Sequence, residues 1–400
     1  MFLLPTRPKD MEFTHNGCEK IKEKYMKKLI VILLIGALAL TCFVAAAPAP
    51  DVNARAYVLL SADSGDVLGS ENAQKHTQIA SMVKIMTLNI IFERIENGSL
   101  SVDDMISVSD YAASMGGSQA FLEAGGVYKV DELIKSIVVA SANDSCVALA
   151  EHISGSVEGF VCLMNEKASE YEMENTKFVN CTGLPDQDQY SCAEDVGKMF
   201  MKLIEKPEFF EYSGIWMFDF VHPGGRVTSL SNTNKLVRFY QGCDGGKTGY
   251  TSEAGSCLAA TAKRGDTRFV AIVVGAENSK TRNAEVSKMF NYAFANYKNV
   301  KVLDKEEEIG KFAVSGSKEK EVGYRAASDR GILEDIAAKP DITYDYVSFN
   351  PVAPIKAGDE IGRVVVLKNG EKIMEEKLLA MSDINRRTFK DLLDEITENW

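Results

Sequence analysis

Ser81 and Lys84 are the residues of this sequence whose types and spacing could support covalent chemistry. They place a hydroxyl at the start of a predicted helix and an amine one turn later, on the same helical face. A serine becomes nucleophilic when a base lies within hydrogen-bonding distance, and a desolvated lysine with a lowered pKa can be that base. The start of a helix also presents free N–H groups to a developing oxyanion. Chance alone gives roughly one or two Ser-x-x-Lys matches in such a chain, so the pair needs support from other motifs.

Two further polar motifs supply that support. Ser141–Asn143 lies at a short break between two predicted helices, where polar side chains can project into a cleft. Lys247–Gly249 precedes two predicted hairpin strands, as an edge strand lining a site would. The order Ser-x-x-Lys, Ser-x-Asn, Lys-Thr-Gly matches the trio of penicillin-binding proteins and class A β-lactamases, in which the middle motif also occurs as Ser-Asp-Asn.

Other catalytic arrangements fit the sequence less well. Its histidines lie in no recognisable hydrolase motif, and there is no G-x-S-x-G nucleophile elbow. The cysteines beyond residue 50 form no C-x-x-C pair, and no histidine stands at zinc-ligand spacing, so we expect no metal site. Buried free thiols are the simplest interpretation, and Cys181–Cys192 is the only local pair that merits a test as a disulfide.

Composition and length narrow the class of protein. Apolar residues make up 46% of the 400 residues and charged residues 26%, which is typical of a globular protein with two or three structural units. The formal net charge is −12, and no basic stripe carries interleaved aromatic residues. An acidic surface repels a phosphate backbone, so we expect no nucleic-acid partner.

Residues 1–47 are predicted to be a signal peptide region. Met26-Lys27-Lys28 precedes an apolar run over 29–47, and small residues and prolines follow it. A membrane anchor is the alternative, because the run is close to the ~18 residues needed to cross a bilayer. No charge follows the run to stop transfer, which favours cleavage and export. The charged prefix before Met26 suggests that translation begins at that methionine.

The elements predicted around the motifs form an α/β (α+β) catalytic domain over 48–298, a small β domain over 299–378 and a C-terminal helix over 379–400. Predicted strands cover 56–60, 67–68, 256–262, 268–274, 344–349, 362–367 and 372–378. Predicted helices cover 80–97, 130–139, 144–152, 157–171, 194–204 and 284–297. The last helix carries an apolar face that suits docking on the protein or on a membrane surface, although its acidic residues disfavour anionic lipid.

Longer segments around the motifs resemble those of the low-molecular-mass penicillin-binding proteins, the serine-type D-alanyl-D-alanine carboxypeptidase family. The similar segments are Ile79–Thr87, Ser141–Asp144 with Ala148–His152, Phe178–Asn180 with Gly183–Leu184, and Asp244–Thr251. The resemblance covers residues 52–297 closely and 300–378 more loosely. It implies a β-lactamase/transpeptidase-like catalytic domain, with an antiparallel sheet flanked by helices, and a small all-β C-terminal domain.

The resemblance also implies roles for individual residues. Ser81 would attack the carbonyl between two terminal D-alanines while Lys84 takes its proton, and Ser141 would relay a proton to the departing D-alanine. Asn143 would hold the substrate backbone. The substrate-binding residues implied are Lys247, Thr248, Gly249, Tyr250 and Arg282. Thr248 and Arg282 would bind the terminal carboxylate. The backbone N–H groups of Ser81 and Tyr250 would together form the oxyanion site.

The partners implied are the peptidoglycan stem peptide as substrate and β-lactam antibiotics as covalent inhibitors, with no metal or organic cofactor. The implied location is the cell-wall side of the cytoplasmic membrane, with peripheral membrane contact through the C-terminal helix. Two alternatives remain open. A β-lactamase would normally carry Ser-Asp-Asn and a loop glutamate that activates water. A catalytically silent peptidoglycan-binding protein would not need the polar residues of all three motifs, which are intact here.

Overall fold

A five-stranded antiparallel sheet organises the catalytic half of the chain. The computed structural model describes residues 50–391. The strands of this sheet are β1 (Ala56–Ser61), β2 (Val67–Glu71), β7 (Cys243–Thr251), β8 (Gly255–Arg264) and β9 (Thr267–Ala276). Their order is β2-β1-β9-β8-β7, so β7, which carries the Lys-Thr-Gly motif, is an edge strand as predicted. The hairpin predicted between 256 and 274 is confirmed as β8 and β9.

Helices cover both faces of this sheet. They are α1 (Lys84–Glu96), α2 (Asp110–Ala113), α3 (Val130–Ala140), α4 (Asn143–Ser154), α5 (Val157–Glu170), α6 (Ala193–Ile204), α7 (Glu208–Ser213), α8 (Leu236–Phe239) and α9 (Ser279–Asn296). The predicted helices over 130–139, 144–152, 157–171 and 194–204 are confirmed to within two residues at each end.

The alternation of side chains along β1 explains why both faces are covered. Ala56 and Val58 belong to the core that the sheet shares with α1 and α3–α6, whereas Tyr57 and Leu59 belong to the core on the opposite face, beneath α9. Successive strand residues point to opposite faces, so a strand that is apolar at every position must be buried on both. The sheet therefore lies between two helical layers, which confirms the predicted α/β (α+β) class.

The predicted start of α9 at residue 284 is wrong. The helix begins at Ser279, because the side chain of Asn278 accepts a hydrogen bond from the backbone N–H of Thr281 and caps the first turn. Arg282 therefore lies within the first turn and is buried, rather than lying ahead of the helix.

Two antiparallel ribbons extend the helical layer. One pairs β3 (Met105–Ser107) with β4 (Val127–Lys129), and the other pairs β5 (Met217–Val221) with β6 (Val227–Ser231). Neither was predicted from the sequence. The second is held at its tip by His222, whose ring nitrogens contact the hydroxyls of Tyr128 and Thr228 at 3.0 and 2.8 Å.

The C-terminal part of the described chain is all-β, as predicted. A ribbon pairs β10 (Tyr297–Leu303) with β13 (Arg330–Asp335). A five-stranded sheet in the order β11-β12-β16-β15-β14 contains β11 (Gly310–Ala313), β12 (Glu321–Ala326), β14 (Ile342–Ser348), β15 (Glu360–Lys368) and β16 (Glu371–Ala380). Asn369 and Gly370 both have positive φ, which gives the tight hairpin turn predicted between β15 and β16.

Two terminal predictions fall partly or wholly outside the described residues. The signal peptide region 1–47 lies outside them, and so do residues 392–400 of the predicted C-terminal helix. The predicted start of that helix at residue 379 is wrong, because β16 continues to Ala380 and residues 381–388 are not helical. Between residues 50 and 391, no single helix is long and apolar enough to cross a membrane; α4 and α5 meet the criteria only as a pair bent by 85°.

Candidate active site

Ser81 lies in a short 3₁₀ turn, Ala80–Val83, and Lys84 is the first residue of α1. The helix predicted over 80–97 is therefore confirmed, and its first turn is 3₁₀ rather than α. A 3₁₀ helix has three residues per turn, so side chains three apart are eclipsed. The eclipsed geometry places Lys84 Nζ 3.1 Å from Ser81 Oγ.

Two glycines from distant segments pack against the backbone of this turn. Ala80 has a φ of 47°, which is unusual for a residue other than glycine. Gly183 lies so close that a Cβ at its position would overlap the Ala80 carbonyl. Gly249, on β7, lies where a Cβ would be 2.7 Å from the Ile79 oxygen and 3.2 Å from the Ser81 nitrogen. The turn Ala80–Val83, called the nucleophile turn below because it contains Ser81, is thus tightly packed between β7 and the loop that contains Gly183.

Lys84 is completely buried and has three polar neighbours at Nζ. Besides Ser81, it contacts Asn143 Oδ1 at 2.6 Å and the backbone carbonyl of Thr182. Burial lowers the pKa of Lys84, because the low-dielectric interior disfavours the ammonium form, and the neighbouring Cys146 opposes that shift. A neutral amine beside a serine hydroxyl is the arrangement that a base requires.

The break between α3 and α4 presents the second motif. Ser141 adopts a left-handed conformation with φ 65° and ends α3, and Asn143 begins α4. Asn143 Nδ2 donates to the carbonyl of Gly116 at 2.6 Å, while its Oδ1 faces Lys84. Both ends of the Asn143 amide therefore have partners, which fixes its orientation in the site.

Lys247 connects the sheet to the second motif. Its Nζ contacts Ser141 Oγ at 2.8 Å, and only 2% of the residue is exposed. Burial, reinforced by the neighbouring amino group of Lys84, holds the pKa of Lys247 well below its usual value. The adjacent Thr248 donates from Oγ1 to Thr233 Oγ1 at 2.7 Å, and Tyr250 is 70% exposed.

Arg282 lies behind this strand rather than in contact with Thr248. Its Nε and Nη2 donate to Asn283 Oδ1 at 3.0 and 2.9 Å, and its Nη1 lies 3.5 Å from the Cys257 carbonyl. Cys257 pairs with Gly249 across β8 and β7, so the guanidinium is one strand removed from the motif. Burial lowers the pKa of Arg282 to about 10.

The structure therefore brings together the polar residues of all three motifs and leaves Arg282 at their edge. Three contributors were not predicted: the carbonyls of Gly116 and Thr182 and the hydroxyl of Thr233. A main-chain carbonyl has no side-chain signature in a sequence, although the block that contains Thr182 was singled out. Thr233 lies in no motif, so no sequence signal pointed to it.

The thiols play no covalent part in the architecture of the described chain. All six cysteines between residues 50 and 391 are free, and all but Cys162 are buried. Cys181 and Cys192, the pair considered for a disulfide, are both unpaired. Cys146 lies beside the site, and its Sγ donates to the carbonyl of Cys181 at 3.0 Å. No cluster of three or more metal-ligating side chains occurs in the described part of the chain.

Comparison with known proteins places this geometry in a family. The sequence profile described as "D-alanyl-D-alanine carboxypeptidase" matches residues 43–278, and the profile of the "Penicillin-binding protein 5, C-terminal domain" matches residues 297–386. The D-alanyl-D-alanine carboxypeptidase DacF of Bacillus subtilis is 38% identical over 94% of this chain and 99% of its own length. The D-alanyl-D-alanine carboxypeptidase DacC of Escherichia coli is 30% identical over 85% of this chain and 86% of its own.

A solved structure gives the same assignment. Penicillin-binding protein 5 from Haemophilus influenzae is 30% identical and matches with a TM-score of 0.70, over 85% of this chain and 100% of the solved chain. The catalytic and C-terminal profiles thus cover most of the described residues in the same order. With a serine–lysine pair at the edge of its sheet, this chain belongs to the D-alanyl-D-alanine carboxypeptidase family of serine-type enzymes.

Proposed function

We propose that this enzyme removes the terminal D-alanine from peptidoglycan pentapeptide stems through an acyl-enzyme on Ser81. The observation that carries the proposal is the 3.1 Å contact between Ser81 Oγ and the buried amine of Lys84. No histidine takes part in it. The activity agrees with the names of the relatives, and the assignment of the nucleophile rests on this geometry.

The first step forms an ester and releases D-alanine. Lys84 Nζ accepts the Ser81 proton while Oγ attacks the carbonyl carbon between the two terminal D-alanines. The negative charge that develops on the carbonyl oxygen is stabilised by the backbone N–H groups of Ser81 and Tyr250, because preorganised donors outside bulk water stabilise a transition state strongly. The close approach of β7 to the turn that contains Ser81, which Gly249 allows, supports this assignment of the two donors.

The departing D-alanine needs a proton on its nitrogen. Ser141 delivers that proton, and its hydroxyl is held by Lys247 Nζ at 2.8 Å. Lys247 in turn stabilises any negative charge that develops on Ser141 during the transfer. A positioned proton donor of this kind typically contributes roughly 10²–10⁴-fold to the rate.

Substrate orientation depends on the edge strand and the helix break. The Thr248 hydroxyl binds the terminal carboxylate, and Lys247 and the buried Arg282 add positive potential behind it. Asn143 holds the peptide backbone from the opposite side. Water then hydrolyses the ester, and a β-lactam acylates the same serine to give an inhibited enzyme.

We also propose that the enzyme acts outside the cytoplasm. Its substrate lies on the cell-wall side of the cytoplasmic membrane, and residues 1–47 have the pattern of a signal peptide. The sequence pattern of residues 389–400, which predicts a helix with one apolar face, supports peripheral contact with the membrane surface.

The decisive measurement is D-alanine release from a diacyl-Lys-D-Ala-D-Ala peptide by the purified protein and by Ser81→Ala. We expect release by the parent and none by the variant. A protein that binds the peptide, but neither releases D-alanine nor is acylated by penicillin, would instead be a silent binding protein. Rapid turnover of a chromogenic cephalosporin would identify a β-lactamase.

A further inference from the structure

Two of the three hydrogen-bond partners of Lys84 Nζ are obligate acceptors, whereas the third, Ser81 Oγ, can either accept a hydrogen from an ammonium or donate one to a neutral amine. Asn143 Oδ1 and the Thr182 carbonyl can only accept hydrogen bonds, so each requires a hydrogen from Nζ. A neutral amine has two hydrogens and one lone pair. When both hydrogens point to these two acceptors, the lone pair is left facing the third neighbour, Ser81 Oγ. These two oxygen acceptors therefore orient the lone pair of a neutral Lys84 towards the proton of the Ser81 hydroxyl.

One of these two acceptors belongs to a loop that has to be held in place. The side chain of Asn180 organises that loop: its Oδ1 accepts from the backbone N–H groups of Thr182 and Gly183 at 3.1 and 2.7 Å. Its Nδ2 donates to the Leu184 carbonyl at 3.1 Å. The Asn180 amide thus closes the turn that presents the Thr182 carbonyl to Lys84 and presses Gly183 against Ala80.

A second amide supports the first. Gln189 is buried, and its Oε1 accepts from the backbone N–H groups of Val179 and Asn180, both at 3.1 Å. These bonds fix the backbone from which the Asn180 side chain projects. Asn180 and Gln189 themselves make no hydrogen bond to Ser81 or Lys84 in the described chain, so they act only through the loop.

We propose that Asn180 is a positioning residue: through the Thr182 carbonyl it aims the lone pair of Lys84 at Ser81. The inference rests on the proposed function, because it assigns the base of that reaction. When the Ser81 proton moves to Nζ, the amine becomes an ammonium that still donates to Asn143 and Thr182. The new N–H then points at the bond-forming oxygen and can return its proton to the leaving group by way of Ser141.

Asn165 offers a matched control. It is also an asparagine, and it also bonds the backbone of this segment: its Oδ1 accepts from the Phe178 N–H and its Nδ2 donates to the Phe178 carbonyl, both at 2.9 Å. Phe178 is not a neighbour of Lys84, however, so Asn165→Ala removes stability from the segment without releasing the Thr182 carbonyl.

The experiment compares kcat and KM for the peptide, and the acylation rate with a fluorescent penicillin, in the full-length protein. For Asn180→Ala we expect kcat to fall about 100-fold, as a misplacement of about 1 Å does in other enzymes, with KM changed less than about threefold. Asn165→Ala should keep its kcat, although both variants should melt at lower temperature than the parent. Circular dichroism at the assay temperature shows that each variant is folded.

The conservative variant Asn180→Asp gives a second, independent measurement. Its carboxylate keeps both accepting contacts, so we expect kcat at high pH to recover to within about tenfold of the parent. The added negative charge joins the carboxylate of Asp144 near Lys84, where the thiols of Cys146 and Cys181 are the other titratable neighbours and Lys247 is the nearby cationic group. It favours the ammonium form, so the acidic limb of the pH–rate profile should move to higher pH.

The outcomes separate this inference from the proposed function. A folded Asn180→Ala protein with the kcat of the parent, or an Asn165→Ala protein with an equal loss, would overturn the positioning role. An Asn180→Asp profile with an unmoved acidic limb would also count against it. If Ser81→Ala still released D-alanine, the proposed function itself would fail, whatever the asparagine variants did.

Discussion

Lys247 and Ser141 are 106 residues apart in the sequence, yet the Lys247 amine lies 2.8 Å from the Ser141 hydroxyl, and both side chains are buried. The lysine belongs to the edge of the sheet, and the serine belongs to the break between two helices. This contact joins the sheet to the helical layer at the point where the proposed mechanism transfers a proton.

Ser141→Ala should therefore slow acylation more than binding. It removes the proposed proton relay and one hydrogen-bond partner of the Lys247 amine, which still contacts the Thr248 carbonyl at 3.2 Å. We therefore expect the acylation rate to fall about 100-fold or more. Stopped-flow fluorescence with a labelled penicillin measures this rate. Ser136→Ala is the control, because Ser136 is a buried serine of the same helix whose hydroxyl contacts the Leu133 carbonyl at 2.8 Å and the Ser145 hydroxyl at 2.6 Å. Equal losses in the two variants would contradict the relay.

Thr248→Val should weaken binding of the substrate carboxylate. A hydrogen bond to a charged group is worth roughly 1.5–3 kcal/mol, so we expect KM for the peptide to rise about tenfold or more. A peptide that ends in a carboxamide should bind the parent and the variant equally, because it carries no charge for this hydroxyl to recognise. Thr261→Val, which removes a buried hydroxyl from β8 beside the Phe269 carbonyl, should leave the preference for a carboxylate intact.

Gly183→Ala should impair both folding and catalysis. Gly183 has a φ of 81°, and a Cβ there would collide with the Ala80 carbonyl and displace the nucleophile turn. Gly65 has a φ of 79°, but a Cβ at that position would have no atom within 4 Å, so Gly65→Ala introduces the same backbone strain without the collision. We expect Gly65→Ala to lose about 1 kcal/mol of stability with full activity. The rate of D-alanine release, normalised to the amount of folded protein, distinguishes the two variants. Equal specific activity would refute the proposal that Gly183 holds the turn containing Ser81 in place.

The stability of the protein should depend on pH through Lys84. Burial lowers the pKa of Lys84 in the folded state, whereas an unfolded lysine has a pKa of about 10.4. Between the folded and unfolded values the unfolded chain binds more protons, so the free energy of unfolding rises as the pH rises. The contribution is complete above about pH 10.4 and is lost as the pH falls through the folded pKa of the lysine.

Lys84→Met should consequently flatten this rise, since methionine does not titrate. Urea denaturation at a series of pH values up to about 10 measures the slope. Lys247 contributes with the same sign, because burial also lowers its pKa, so part of the slope should remain. The control Lys202→Met removes an exposed lysine that pairs with Glu205. A Lys84→Met protein with the parent slope would show that Lys84 is charged when folded.

The three motifs that the sequence singled out do come together in the structure, and they could be found because their residues carry side-chain functional groups at fixed local spacings. Ser81 and Lys84 are one turn apart, and Ser141 and Asn143 flank a break between helices that hydrophobic periodicity reveals. Even so, the turn is 3₁₀ rather than α. That difference depends on the contacts of Gly183 and Gly249 with the turn, which come from remote segments and leave no local pattern.

The features that were missed have a common physical origin. The Thr182 carbonyl is a main-chain group, which every residue type carries, so the sequence gives no signal for it. The ribbon of β5 and β6 depends on the contact of His222 with Tyr128, 94 residues away in sequence. The start of α9 was misplaced because the capping bond of Asn278 outweighed the weak periodicity of the first turn. Arg282 was placed at the carboxylate by resemblance, but the structure directs its guanidinium to Asn283.

The position of the active site at the boundary between the sheet and the helices has a further consequence. Ser81, Lys84 and Ser141 belong to the helical layer, while Lys247 and Thr248 belong to β7. A sliding of one layer past the other by about 1 Å would keep every helix and strand intact and still separate the base from the groups that bind substrate. Catalytic activity should therefore be more sensitive than secondary structure to the packing between the two layers. When the protein is mildly destabilised, activity should be lost before secondary structure.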